Sequence, residues 1–278
     1  MKSIIKIFII FYFVNFIPFS LTAQDSKWKK MDTGLYIGEF KSPQKSNTSD
    51  SKITILRIDP LIYSFKLLCA DELKHSNITV KEWCQRYNLI GAINAGMFQL
   101  MDYKSNVGFM KNYEYINNVT INSKYFSVAA FNPIDTTSEV FHIFDIDDSN
   151  IKNVINNYNT VIQNLRLIKS PALNRWTQQQ KKWSEAALGQ DKNGNVLFIF
   201  SHSPYSMHDL NNILINLPIE IVCAQHLEGG TEASLYFSHN NLIIQRIGSY
   251  ETDFNENNDN KKYWSIPNVI GFYKKKGN

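Results

Sequence analysis

The chain is 278 residues long, 44% hydrophobic and 19% charged, which is the composition of a globular protein with ample apolar material for a core. Its length alone does not choose between one large domain and two small ones. Met1 to Ala23 places Lys2 and Lys6 ahead of an apolar run from Ile7 to Phe19 and ends on Leu21-Thr22-Ala23, the pattern of a secretory signal peptide cleaved before Gln24. Cleavage removes two lysines and no acid, so the formal charge falls from +4 to +2, which leaves no electrostatic ground for a nucleic-acid partner. The run is short for a span of ~20 residues and Asn15 interrupts it. The expectation is an exported protein, periplasmic or secreted, with no stable membrane span after cleavage. Cys69, Cys84 and Cys223 allow at most one disulfide, and their spacing matches no zinc pattern.

Residues 24–50 begin basic and aromatic and pass through Lys41 to Ser49, a stretch without periodicity that predicts an N-terminal extension and an exposed loop. Lys52 to Asp59 and Tyr63 to Cys69 read as strands around a Pro60 turn. Thr79-Val80-Lys81-Glu82 has capping-box form ahead of Trp83, Cys84 and Tyr87 at helical spacing, so a helix is expected over about 79–88. The short apolar strand Leu89 to Ala95 follows and ends at Gly96. Tyr125 to Phe131, Val140 to Ile146 and Val161 to Ile168 are strand candidates, and Asn150 to Tyr158 is a short polar helix. Asp145-Ile146-Asp147-Asp148 lacks the glycine and terminal Glu of a calcium loop and reads as a solvated turn.

The last third is the most regular. Asp191 to Gly194 is a hairpin-type turn before the strand Val196 to Phe200. Ser206 caps a helix carrying Met207, Leu210, Ile213, Leu214 and Leu217, which Pro218 closes, and the strand 219–224 comes next. Strand, helix and strand within about 30 residues predict a βαβ unit with two parallel strands. The elements together predict an α+β fold: a mixed β-sheet with flanking helices, including this C-terminal βαβ unit, in a single domain over 51–278.

That geometry brings Ser201 to Ser206 and Gln225 to Glu232 out at one carboxyl edge, where open α/β sheets hold ligands. Asn94 and Gly96 reach the same rim if strand 89–95 runs parallel. The edge then carries Glu228 and Glu232, the amides of Gly229 and Gly230, and a helix start with His208 in its first turn. Glycine amides and a helix N-terminus favour an anion such as phosphate, while carboxylates and an imidazole supply proton transfer or a nucleophile. Plainer readings stand beside these: Glu228 solvated in an ordinary turn, Glu232 facing water, and His208 packed on its helix. His202 and His226 read as surface or packing residues, because no third ligand at metal spacing accompanies them.

Six ordered segments carry a resemblance. They are Ile93 to Phe98, Asn106 to Lys111, Gln163 to Arg166, Trp183 to Gly189, Tyr205 to Asp209 and Leu227 to Ser234. In them the chain resembles the phosphodiester glycosidase family, and most of all its exported bacterial branch. It departs from the family's best-described member in having Glu228-Gly229-Gly230 for Asp-Gly-Gly, and Glu185-Ala186 where a basic residue and Thr are usual. The resemblance implies hydrolysis of a sugar-1-phosphodiester, with a phosphorylated carbohydrate as partner and the sugar released from a phosphate-linked aglycone. It implies Glu228 as base or nucleophile, and His208 in proton transfer or phosphate binding. Asn94 and Ser234 would orient the sugar and Arg166 would pair with phosphate. Gly96, Ser184, Gly229, Gly230 and Glu232 would complete the substrate-binding set. No cofactor is called for, and no spacing demands a divalent cation, although one beside phosphate and carboxylates stays open. A non-catalytic glycan-binding protein on the same fold, and a conventional glycosidase or phosphodiesterase, are the alternatives.

Overall fold

Alternating and continuous apolar runs account for the strand-dominated architecture of the computed structural model, which describes residues 27–276. The expected signal peptide lies outside them. In chain order the strands are β1 (Trp28–Asp32), β2 (Leu35–Lys41), β3 (Lys52–Ile58), β4 (Tyr63–Cys69) and, after helix α1 (Val80–Arg86), β5 (Gly91–Asn94). The middle of the chain supplies β6 (Met110–Asn112), β7 (Tyr115–Asn118), β8 (Ser127–Pro133) and β9 (Phe141–Asp145). Helix α2 (Ile151–Asn157) leads to β10 (Tyr158–Asn164), β11 (Arg166–Lys169) and β12 (Leu173–Asn174). The last third adds β13 (Trp183–Asp191), β14 (Val196–Tyr205), α3 (Met207–Asn216), β15 (Ile221–Gly229), β16 (Ser234–His239), β17 (Leu242–Ile247) and β18 (Asn268–Lys274).

Three sheets result, ordered β1-β2-β3-β14-β13-β15-β11-β12, β7-β6-β10-β8-β9 and β17-β16-β5-β18-β4. One buried cluster draws Leu56 and Phe198 from the first, Phe131 and Phe141 from the second, and Phe65, Ile93, Phe237 and Phe272 from the third. A core shared in this way makes the described residues one domain. The helices form where expected. Thr79 accepts from the Glu82 N–H while Glu82 accepts from the Thr79 N–H, which closes the capping box of α1, and the Ser206 hydroxyl accepts from the Asp209 N–H to start α3.

Several expectations change. The α+β character holds, but every pairing between named strands is antiparallel, so the sheets are not mixed. The strands flanking α3 do run in the same direction, yet β13 lies between them and is antiparallel to both, so no directly paired βαβ unit forms. The reason is β13 itself, whose apolar run Ala186-Ala187-Leu188 claims one edge each of β14 and β15. Residues 24–50 are likewise not only an extension. β2 pairs with β3 along its whole length and contributes Leu35 and Phe40 to the core, leaving only the stretch after Lys41 as a loop.

The expected strand Val161 to Ile168 is divided. Up to Asn164 the chain pairs with β8 in the second sheet, and from Arg166 it pairs with β15 in the first. Leu165 is the crossing point, and its carbonyl accepts the His226 N–H at 2.9 Å. A strand that changes sheets leaves a gap between them, and the pocket described next occupies that gap.

Candidate active site

The carboxyl end of β15, the start of β13, the N-terminus of α3 and three loops surround a pocket of about 400 Å³. Its walls are Met97, Phe98, Leu100, Leu165, Trp183, Met207 and Phe254, and its polar groups are His226, Glu228, Glu232 and Glu251. The lining contains neither Lys nor Arg.

Strand register explains how two of the polar groups come to share this space. Ala187 faces His226 and Ala186 faces Glu228, so β15 advances two residues while β13 advances one. Leu227, the extra residue, is fully buried in the main core. His226 and Glu228 flank it and both reach the pocket.

Glu185 lies two residues into β13 and is 2% exposed. A charge so placed requires partners, and it has one on each oxygen. The Trp183 indole N–H donates to Oε2 at 2.6 Å, and His226 Nδ1 lies 2.6 Å from Oε1. The indole in turn needs Gly229, where a Cβ would come within 2.7 Å of Trp183 Cδ1. Gly230 adopts φ +66°, and the Glu251 side chain occupies the space where its Cβ would stand.

Glu228 lines the pocket beside them. Burial, and then the neighbouring charges of Glu232, Glu251 and Glu185, push its carboxyl well above the usual carboxylate range, opposed only by the Gly229 N–H at 3.1 Å. Burial also raises Glu232, against a 2.8 Å hydrogen bond from the Thr231 hydroxyl. Burial raises Glu251, as does the charge of Glu232, while His226 opposes. The three carboxyls crowd one another and therefore favour their neutral forms.

The structure brings together part of the expected set. Glu228, Gly229 and Glu232 line the pocket. Asn94 and Ser234 stand behind it, bonded to each other and to the loop: Asn94 Nδ2 donates to the Glu232 carbonyl at 3.0 Å, and Asn94 Oδ1 accepts the Ser234 N–H at 2.8 Å. They meet because β5 is antiparallel to β16, not because it joins the first sheet. Gly96 fits against the buried side chains of Asn106 and Asn164, where a Cβ would clash with both.

Four expectations are corrected. Arg166 is outside the pocket lining and is engaged elsewhere: Asp145 holds its Nη1 at 2.7 Å and Asp147 does so at 2.7 Å. The same acidic turn also binds Lys169, so its charges are neutralised by side chains rather than by water alone. Ser184 is fully buried, donating to the His202 carbonyl and accepting from the Ser249 N–H, which makes it a structural pin. His208 is outside the lining, with Nε2 3.3 Å from Asn212 Nδ2 and Nδ1 3.5 Å from Asp209. The glycine amides are not an anion cradle, since Gly229 N–H donates to Glu228 and Gly230 N–H to the Ser184 carbonyl.

Two pocket residues, and the buried carboxyl behind one of them, escaped the sequence reading. Glu185 and His226 flank apolar runs and pass for strand residues, although Trp183 and Glu185, like His226 and Glu228, show the two-residue spacing that places side chains on one face. Glu251 arrives from a loop far along the chain, and no local pattern announces it. A second recess of about 450 Å³, lined by Glu39, Asp50, Lys52 and Arg246, is more polar. Its charges pair internally, Arg246 with Glu39 and Lys52 with Asp50.

Carboxyls and an imidazole gathered in an aromatic-walled cleft between sheets make a ligand pocket with groups able to exchange protons. The chain belongs to the phosphodiester glycosidase family, whose model matches residues 87–273. Its fold is similar to that of the zebrafish N-acetylglucosamine-1-phosphodiester alpha-N-acetylglucosaminidase catalytic domain, solved in a form auto-inhibited by its pro-peptide. That match has a TM-score of 0.60 at 16% identity and covers 87% of this chain and 84% of that one. A hypothetical protein from Synechocystis is similar over 87% of this chain and 62% of its own, with a TM-score of 0.58 at 13% identity. At these identities the likeness is one of fold. No curated protein matches the chain at a significant level.

Proposed function

We propose that the protein is an exported hydrolase that cleaves a sugar-1-phosphodiester, releasing the sugar from a phosphate-linked aglycone. The observation that carries this reading is Glu228, a carboxyl pushed well above the usual carboxylate range, in the lining of an aromatic-walled pocket in a phosphodiester glycosidase domain. A neutral carboxyl suits this substrate. A phosphodiester anion entering a cleft with no lysine or arginine in its lining would be repelled by ionised glutamates, whereas a protonated Glu228 offers it an O–H donor.

Trp183, Phe98 and Phe254 give the sugar ring flat apolar surfaces, and the loop pinned by Asn94 and Ser234 positions Glu232 beside it. As the anomeric C–O bond breaks, its electron pair goes to the phosphate oxygen, which takes the Glu228 proton. The carboxylate left behind then faces the positive charge growing on the sugar. Phosphate is already a stabilised anion, so this leaving group asks less of the acid than that of an ordinary glycoside. The proposed exported location rests on the Met1 to Ala23 pattern. No helix among the described residues is long and apolar enough to cross a membrane.

The test is sugar release from a panel of sugar-1-phosphodiesters by the mature protein and by Glu228→Gln. The expected result is turnover in the native protein, with kcat reduced roughly 10²- to 10⁴-fold in the variant, the usual contribution of a positioned acid or base. Equal turnover in both removes Glu228 from the reaction.

A further inference from the structure

A buried pair beside Glu228 has the parts of a second catalytic group. Glu185 is sealed under the pocket wall, with each oxygen engaged, one by the Trp183 indole N–H and one by His226 Nδ1, both at 2.6 Å. A carboxylate can only accept, so Nδ1 carries the hydrogen, and in the neutral ring Nε2 is left with a lone pair. Nε2 has no hydrogen-bond partner among the described residues and is not among the sealed polar atoms, and the ring lines the pocket. Trp183, edge-on to the imidazole with centroids 6.2 Å apart, and the His226 N–H bond to Leu165 hold the ring in place.

We propose that His226 is the general base of the reaction, with Glu185 as the positioning residue that fixes its tautomer and orientation. This rests on the hydrolase reading above. His226 Nε2 takes a proton from the attacking water, the water oxygen bonds to the anomeric carbon, and the bond from that carbon to the phosphate oxygen breaks with its electron pair going to oxygen. Glu228 gives its proton to the departing phosphate. The imidazolium then returns the water's proton, through solvent, to the Glu228 carboxylate, so protons balance over the cycle. The two groups divide the work because their surroundings differ: burial and neighbouring carboxyls favour the protonated form of Glu228, while His226 faces the pocket with an accepting nitrogen. A carboxylate behind an imidazole does not itself take the proton; it orients the ring and stabilises the imidazolium.

Glu185→Gln separates this role from mere packing. The indole N–H must still find an acceptor, so the glutamine carbonyl faces Trp183 and its NH2 faces His226. Nδ1 is then forced to accept, and the hydrogen moves to Nε2, the nitrogen that must receive the proton. The experiment is nitrogen NMR of histidine-labelled mature protein, native and Glu185→Gln, alongside kinetics of both and of His226→Gln on a sugar-1-phosphodiester that the native protein cleaves. The expected result is an Nδ1–H tautomer for native His226 and an Nε2–H tautomer in Glu185→Gln. Both variants should lose kcat by roughly 10²- to 10⁴-fold, with KM changed less than about threefold.

A native Nε2–H tautomer overturns the proposal, as does either variant retaining half of native kcat. If a variant fails to fold, the native tautomer and the restoration of turnover to His226→Gly by added imidazole decide; no restoration counts against the base role. Native protein inert toward the whole panel overturns the hydrolase reading and this proposal with it. An active native protein with active variants overturns this proposal alone.

Discussion

Asn94→Ala tests how the candidate site is held in place. Asn94 is 1% exposed at the end of β5 and satisfies two backbone groups of the neighbouring loop, the Glu232 carbonyl and the Ser234 N–H. Its Oδ1 also receives the Ser234 hydroxyl at 3.3 Å, a weaker contact. Alanine reaches neither backbone group. Leaving a buried donor or acceptor unpaired costs ~1–3 kcal/mol each, so the pair predicts a loss of about 2–6 kcal/mol. Urea unfolding of the mature protein and the variant, followed by fluorescence, measures it; an unchanged m-value shows that the difference lies in stability. Because the same bonds seat Glu232, turnover should fall together with stability. A loss below about 1 kcal/mol refutes the reasoning, since it means that the loop satisfies its own backbone without Asn94.

Glu228→Gln carries a stability signature of its own. The folded carboxyl titrates above its unfolded value, so its contribution is fully present below the unfolded pKa and is lost as pH rises through the folded one. Glutamine does not titrate. Thermal unfolding should therefore match native near pH 4 and exceed it at pH 8 by about 1–2 kcal/mol, within the range that single stabilising substitutions reach; a variant less stable at pH 8 contradicts the crowding of Glu228, Glu232 and Glu251. Arg166→Ala breaks a largely buried ion network and should cost ~3 kcal/mol in urea unfolding while leaving KM for a sugar-1-phosphodiester within about twofold. A tenfold rise in KM would return Arg166 to the phosphate.

Local signals were legible wherever one segment settles its own structure. The Thr79 and Ser206 caps, the apolar faces of α1 and α3, and the strands from Lys52 and Tyr63 follow from spacing and capping chemistry, and Glu228 was visible because a carboxyl before paired glycines invites a function. The sheet order was hidden, since it depends on which long-range edge each strand finds. β13 reads as a polar aromatic stretch at its start, yet it inserts between the strands flanking α3 and so removes the directly paired βαβ unit. The site suffered in the same way. Arg166 looks like a phosphate ligand until the turn at Asp145 folds onto it, and Glu185 and His226 look like packing until a bulge at Leu227 brings them beside Glu228.

In the proposed reaction water attacks the sugar and not the phosphorus. Hydrolysis of a sugar-1-phosphodiester in water enriched in oxygen-18, followed by mass spectrometry of both products, reads the bond that breaks. Label is expected in the anomeric hydroxyl of the released sugar and none in the phosphate. Label in the phosphate means that the P–O bond was cleaved, and contradicts it.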